Sequence, residues 1–160
     1  MLHRVQDPYE RNVPGLGLGR DPERTPMQWS AEPHAGFTTG TPWLPIAEDY
    51  RTCNVEAQDP RSVLTLHRCL IALRRAEPAL AIGEYAPLEA SGELVAYVRK
   101  HEARRFAIVL NLSARAETFE LESPALRGKI MLSTHLDQEE EMIAGLVRLR
   151  PNEGVIIEVA

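Results

Sequence analysis

The chain of 160 residues is 44% hydrophobic and 26% charged, the balance of a globular protein and not of a disordered tail. Its formal net charge is −5, and its basic residues are scattered in pairs such as Arg74 with Arg75, Arg104 with Arg105 and Arg148 with Arg150. That argues against a nucleic-acid partner, which needs clustered positive charge, and no apolar run approaches the roughly 20 residues that span a bilayer. Residues Met1 to Pro8 show no apolar stretch of a secretory leader. Cys53 and Cys69 are too few and too oddly placed for a disulfide framework. They read as free thiols in a reducing, cytoplasmic compartment, with Cys69 a small buried hydrophobe on a helix.

Residues 1 to 58 form the first stretch. It is rich in Gly, Pro, Trp and polar residues and has no sustained period of either kind. Gly15, Gly17 and Gly19, then Pro22, Pro26, Pro33, Pro42 and Pro45, punctuate it. An unstructured stretch of this length is a functional loop or a segment packed on a larger body.

One amphipathic helix is predicted over residues 59–77. Asp59 suits the N-cap and Pro60 the first helical position. Val63, Leu66, Leu70 and Leu73 recur at helical spacing, with Ile71 beside them. Arg74 and Arg75 complement the dipole in the last turn, and Pro78 ends the helix.

From residue 83 the period changes to strands. Residues 93–99 and 105–112 are the clearest, followed by 118–121, 129–132, 146–149 and 154–159. Turn signals separate them at Ser91-Gly92, His101-Glu102, Ser123-Pro124 and Pro151-Asn152. The expected fold is mostly β with one main helix, an antiparallel sandwich at the C-terminal end. The run Gln138-Glu139-Glu140-Glu141 reads as a solvated loop.

Few residues offer chemistry. The histidines lack metal-ligand spacing, and the cysteines are not paired for metal. No metal or cofactor is expected. Gly15-Leu16-Gly17-Leu18-Gly19 has neither the preceding strand nor the following Gly-Lys-Ser/Thr of a phosphate loop. Asp21 and Glu23 would diverge if extended, and no carboxylate pair has a pocket-forming context. Trp29, Phe37 and Trp43 read as loop anchors that bury large area, with stacking on sugar rings the alternative. Arg20 and Arg24 are the candidate substrate-binding residues, because the guanidinium fork suits sugar hydroxyls and carboxylates. The alternative for both is an ion pair within the loop, with Asp21 as partner.

The run Gly19-Arg20-Asp21-Pro22-Glu23-Arg24-Thr25-Pro26-Met27-Gln28-Trp29 resembles a signature of the α-glucosidase branch of the α-amylase superfamily, glycoside hydrolase family 13. That branch includes oligo-1,6-glucosidases and maltases. The resemblance continues through Gly36-Phe37, Pro42-Trp43-Leu44-Pro45, Asn54-Val55, Ile71-Ala72-Leu73-Arg74-Arg75 and Pro78-Ala79-Leu80. It then takes in Gly83, Val109-Leu110-Asn111-Leu112 and Leu149-Arg150-Pro151-Asn152-Glu153-Gly154. Ser30 departs from it, where the family often has Asp, and so do His67 and Cys69.

By this resemblance, residues 1–58 are the active-site loop after the last strand of a (β/α)8 barrel. Residues 59–80 are the last barrel helix and 81–160 the C-terminal β-domain. Arg20 then lies at the glucose-binding subsite and Arg24 near the next one. The family's catalytic carboxylates lie upstream of residue 1, so the chain is expected to hold no catalytic residue and to be inactive alone. It would be a truncated remnant, the accessory half of a two-chain enzyme with a catalytic barrel as partner, or a free-standing carbohydrate-binding module. The apolar helix face would be open to such a partner or to self-association.

Overall fold

A computed structural model describes residues 5–17, 19–121 and 127–159. The start of the chain before Val5, Leu18 in the glycine run, and the predicted turn at Ser123-Pro124 lie outside the described residues. The chain divides into two compact units, Met1–Pro60 and Arg61–Ala160.

Among its described residues the first unit contains one short helix, α1 (Pro8–Asn12), and two 3-10 turns, Asp21–Arg24 and Pro33–Gly36. Each of the three has a proline in its first two positions, where the ring presets φ and the missing N–H costs nothing. Pro26, Ala35 and Leu44 are its buried apolar residues among those described. With so small an apolar core, polar side chains tie the chain together. Gln28 donates to Asp49 Oδ1 at 3.0 Å and to the Cys53 carbonyl at 2.8 Å. Buried Asn54 donates to the Tyr50 carbonyl at 2.9 Å and accepts from the Ala57 amide at 2.9 Å.

His34, Ala35 and Gly36 take left-handed angles in succession, with φ of 57°, 57° and 65°. The Ala35 carbonyl thereby accepts from the amides of Trp29 and Ser30 at 2.9 and 3.2 Å. A Cβ on Gly36 would sit 2.6 Å from Ser30 Oγ, so a side chain there would force Ser30 to shift.

The second unit opens with α2 (Val63–Ala76) and α3 (Pro78–Ile82). The helix predicted with Asp59 as its N-cap starts three residues later. Ser62, not Asp59, is the N-cap, and its hydroxyl accepts from the Thr65 amide at 3.3 Å. At the other end α2 stops at Ala76, as the proline at 78 requires, and Pro78 itself starts a second short helix, α3, that is absent from the predicted elements.

Eight strands follow among the described residues: β1 (Glu84–Pro87), β2 (Leu94–His101), β3 (Arg104–Asn111), β4 (Glu117–Glu120), β5 (Arg127–Ser133), β6 (Met142–Ala144), β7 (Leu146–Leu149) and β8 (Gly154–Val159). They form an antiparallel six-stranded sheet, β1-β2-β3-β8-β5-β6, and a separate β4-β7 pair. β1 and β6 extend the predicted set. Neither β1 nor Met142 and Ala144 of β6 is buried, which is why period-2 burial leaves no mark there.

Alternation gives the large sheet two apolar faces. Leu94, Ala96, Val98, Ala107, Val109, Val155 and Ile157 pack with Phe119, Val147 and Leu149 of the small pair, making the sandwich core. On the opposite face, Phe106 and Ile108 pack with Ala79 and Leu80 of α3, with Leu73 and Tyr97 around them.

The helical pair is fastened by charge. Arg99 donates to the carbonyls of Ala79 and Ala81, both at 3.3 Å, and Arg74 to that of Leu80 at 2.9 Å. Arg104 forks onto Glu77 at 2.6 and 3.1 Å and also bonds Glu158. Beyond this anchor, α2 buries no residue, and its Val63, Leu70 and Ile71 are exposed. A groove of about 480 Å³ runs between α2 and the sheet, with Leu66, Leu70, Tyr97, Ile108, Leu110 and Ile156 among its walls.

Candidate functional site

The glycine-rich segment and the arginine turn of the first unit are held by three carboxylates. Asp7 caps α1, accepting from the Tyr9 amide at 2.7 Å through Oδ1. Its other oxygen accepts from the Arg20 amide at 3.3 Å and from Arg20 Nε at 3.1 Å. Asp21 reaches back, accepting from the amides of Gln6 and Asp7 at 2.6 and 3.2 Å. Glu10 accepts from the amides of Gly15 and Gly19 at 3.2 and 3.1 Å. Glycine suits this loop because Gly15 and Gly17 take φ of 89° and 65°. At Gly19 an added Cβ would meet Glu10 Cβ at 2.8 Å. A cavity of about 440 Å³ opens beside these groups, lined by Val5, Glu10, Gly17, Gly19, Asp21, Pro22, Thr25 and Pro45.

The Asp7 side chain is fully buried. The Tyr9 amide, then the Arg20 amide and guanidinium, hold its carboxyl below the usual aspartate range, against the opposing effect of burial. Arg20 is therefore paired as the ion-pair alternative anticipated, but with Asp7 instead of Asp21. Asp21 is occupied by backbone amides, and a residue fourteen positions upstream of it could not be chosen as the partner from spacing. Arg20 nevertheless keeps a side chain 58% exposed. Arg24, at the end of the same 3-10 turn, is exposed and forms no ion pair with the described residues.

The aromatic anchors depart from expectation. Trp29 and Phe37 are each 50% exposed and Trp43 is 69% exposed, so in this chain they do not close a loop core. Ala35 and Leu44, next to them in sequence, take that role. Both cysteines are free thiols, with Cys53 exposed and Cys69 half-buried instead of fully buried.

Two of the quoted motifs meet in the second unit and prove to be structural. Glu153 has a fully buried side chain that accepts from Ser133 Oγ at 2.8 Å and from the Arg150 amide at 2.7 Å. It also accepts from Arg150 Nε at 3.0 Å and from a terminal nitrogen at 2.5 Å. Arg150 forks onto Asp137 as well, at 2.7 and 2.8 Å. Burial alone would raise the Glu153 carboxyl. The Arg150 bonds and the Ser133 hydroxyl outweigh it and hold the group below the usual glutamate range. Asn111 closes the same corner, donating to the carbonyls of Arg115 and Arg150 at 2.7 and 2.8 Å. A Cβ on Gly154 would lie 2.7 Å from Leu110 Cδ2. The Arg-Pro-Asn-Glu-Gly run is thus the β7–β8 turn, not a binding motif.

Residues 4–83 match the alpha-amylase catalytic-domain family model. A probable alpha-glucosidase from Rhizobium meliloti (strain 1021) is 39% identical over 145 residues, 88% of this chain and 26% of that protein. An oligo-1,6-glucosidase from Halalkalibacterium halodurans is 37% identical over 140 residues, 85% of this chain and 25% of that protein. Among solved structures, the trehalulose synthase from Pseudomonas mesoacidophila MX-45 superposes with a TM-score of 0.73 at 30% identity. The superposition covers 89% of this chain and 26% of that one. The chain therefore spans about a quarter of the length of the curated relatives it matches.

The mostly antiparallel β architecture with few helices is that of a segment of the barrel proteins on which it superposes. The chain belongs to the alpha-amylase family, glycoside hydrolase family 13. Among the described residues no helix is long and apolar enough to cross a membrane.

Proposed function

We propose that this chain serves as the C-terminal quarter of an α-glucosidase-type hydrolase and carries no catalytic activity by itself. Arg20 contributes to the glucose-binding subsite, Arg24 lies near the next one, and the β unit is scaffold. The observation that carries this reading is the Arg20 turn, stapled in place yet open to solvent, within the run that resembles the α-glucosidase signature.

A retaining glycosidase needs a nucleophile and an acid/base carboxyl about 5 Å apart with the substrate between them. Asp7, Glu10 and Asp21 each already hold backbone amides of the loop, so their lone pairs are committed to structure. The purified chain should release no glucose from maltose, isomaltose or p-nitrophenyl α-glucoside above a mock purification. Turnover by the chain alone, abolished by Asp21→Asn or Glu23→Gln, would overturn the reading.

The open face of α2 favours a second reading, in which the chain is the accessory half of a two-chain enzyme. Addition of a relative's catalytic portion lacking its C-terminal quarter would then restore hydrolysis only when this chain is present.

A further inference from the structure

The loop raises the question of why a buried carboxylate is spent on an arginine whose head faces water. Arginine has five N–H donors in a rigid fork, one on Nε and four on the terminal nitrogens. Asp7 takes the Nε donor and the backbone amide of Arg20 with a single oxygen. The terminal nitrogens have no partner among the described residues, and the side chain stays 58% exposed. Asp7 is held in turn: its second oxygen is filled by the Tyr9 amide, and its own amide by Asp21. Arg24 is the natural contrast, on the same turn and without an ion pair to the described residues.

We infer that Asp7 is the positioning residue for Arg20, fixing its rotamer so that the two terminal nitrogens form a free edge for the vicinal hydroxyls of a sugar ring. The inference rests on the reading of Arg20 as a glucose-subsite residue. A long side chain ordered before binding loses less rotamer freedom when ligand arrives, and a site held within about 0.5 Å of productive geometry needs such second partners. Arg24 lacks one, so it contributes as an adaptable charge.

Nitrogen-edited NMR of the whole chain tests this through the arginine Nε–H signals, assigned with Arg20→Lys and Arg24→Lys. A charge-assisted bond should slow exchange of the Arg20 Nε–H by about tenfold or more relative to that of Arg24. As pH falls and Asp7 protonates, below the usual aspartate range, that difference should vanish. Asp7→Asn should abolish it at every pH while sparing the Glu153 corner of the other unit. Equal exchange at Arg20 and Arg24 in the unmodified chain, at neutral pH, would refute the inference without the Asp7→Asn variant having to fold. The subsite reading fails separately. If Arg20→Ala leaves α-glucoside turnover by the two-part enzyme unchanged, the subsite assignment falls and with it the purpose given to Asp7, whatever the NMR shows.

Discussion

Replacing Glu153 with alanine should cost the second unit about 3–5 kcal/mol. The carboxylate is fully buried and satisfies two donors, the part-buried Arg150 amide and the buried Ser133 hydroxyl. Each buried donor left unpaired costs about 1–3 kcal/mol. The lost guanidinium pair adds less than a fully buried one would, because the Arg150 side chain is 39% exposed and keeps Asp137. Glu153→Gln preserves volume and one acceptor but turns an amide N–H₂ toward a cation, so about 2–3 kcal/mol is expected from the lost charge-assisted bonds.

Urea unfolding followed by far-UV circular dichroism measures both. With a slope of about 1.5 kcal/mol per molar, the alanine variant should unfold some 2–3 M earlier. The pH dependence has a definite sign. Glu153 is held below the ordinary glutamate value of 4.5, so the unfolded chain binds the proton more tightly. Its stabilisation is complete above about pH 4.5 and is lost as pH falls through the lower folded value. Asp137, lowered chiefly by its bond to Arg150, adds in the same direction. A Glu153→Gln protein within about 0.5 kcal/mol of the parent, with an unchanged acid limb, would refute the reasoning.

Three further outcomes are expected. Because α2 buries no residue and Leu70 is exposed, Leu66→Glu with Leu70→Glu should leave the β unit's urea midpoint nearly unchanged and abolish any dimer seen by light scattering. Unfolding instead would mean that this face is core. Gly36→Ala should destabilise the first unit by about 1–2 kcal/mol, from its left-handed angles and the approach of Ser30 Oγ, read as faster amide exchange at Trp29 and Ser30. Gly83→Ala should be worse, since its Cβ would lie 2.3 Å from the Ala79 carbonyl oxygen and 2.7 Å from that of Lys100. A folded variant with unchanged melting would contradict that geometry.

The strands that carry the sandwich were legible because burial and period coincide: Leu94, Ala96 and Val98, or Val155, Ile157 and Val159, alternate without interruption. The start of α2 was not, because Asp59-Pro60 imitates a cap as well as Ser62 does. At the site, the sequence singled out Arg20 but could not name its partner. Asp7 meets it through a loop closed by backbone amides, and amides leave no trace in residue type. The exposure of Trp29 and Trp43 was illegible for a related reason, since residue type reports size and not what covers it. The Arg150–Glu153 corner had a signal, a buried-type Asn111 within a strand pattern and a charged pair around a turn. Only the fold shows that both belong to one network.

The family match ends at residue 83, whereas the compact unit begins at Arg61. Evolutionary bookkeeping and mechanical cohesion thus disagree over α2 and α3. The Arg99 and Arg104 contacts side with mechanics, because they rivet the helical pair to the sheet, while Arg74 ties α2 to α3. For anyone swapping C-terminal modules among these enzymes, the natural crossover point is therefore ahead of Ser62. A junction at Gly83 would sever Glu77 from Arg104 and leave the sheet's second face, Phe106 and Ile108, wearing a foreign helix.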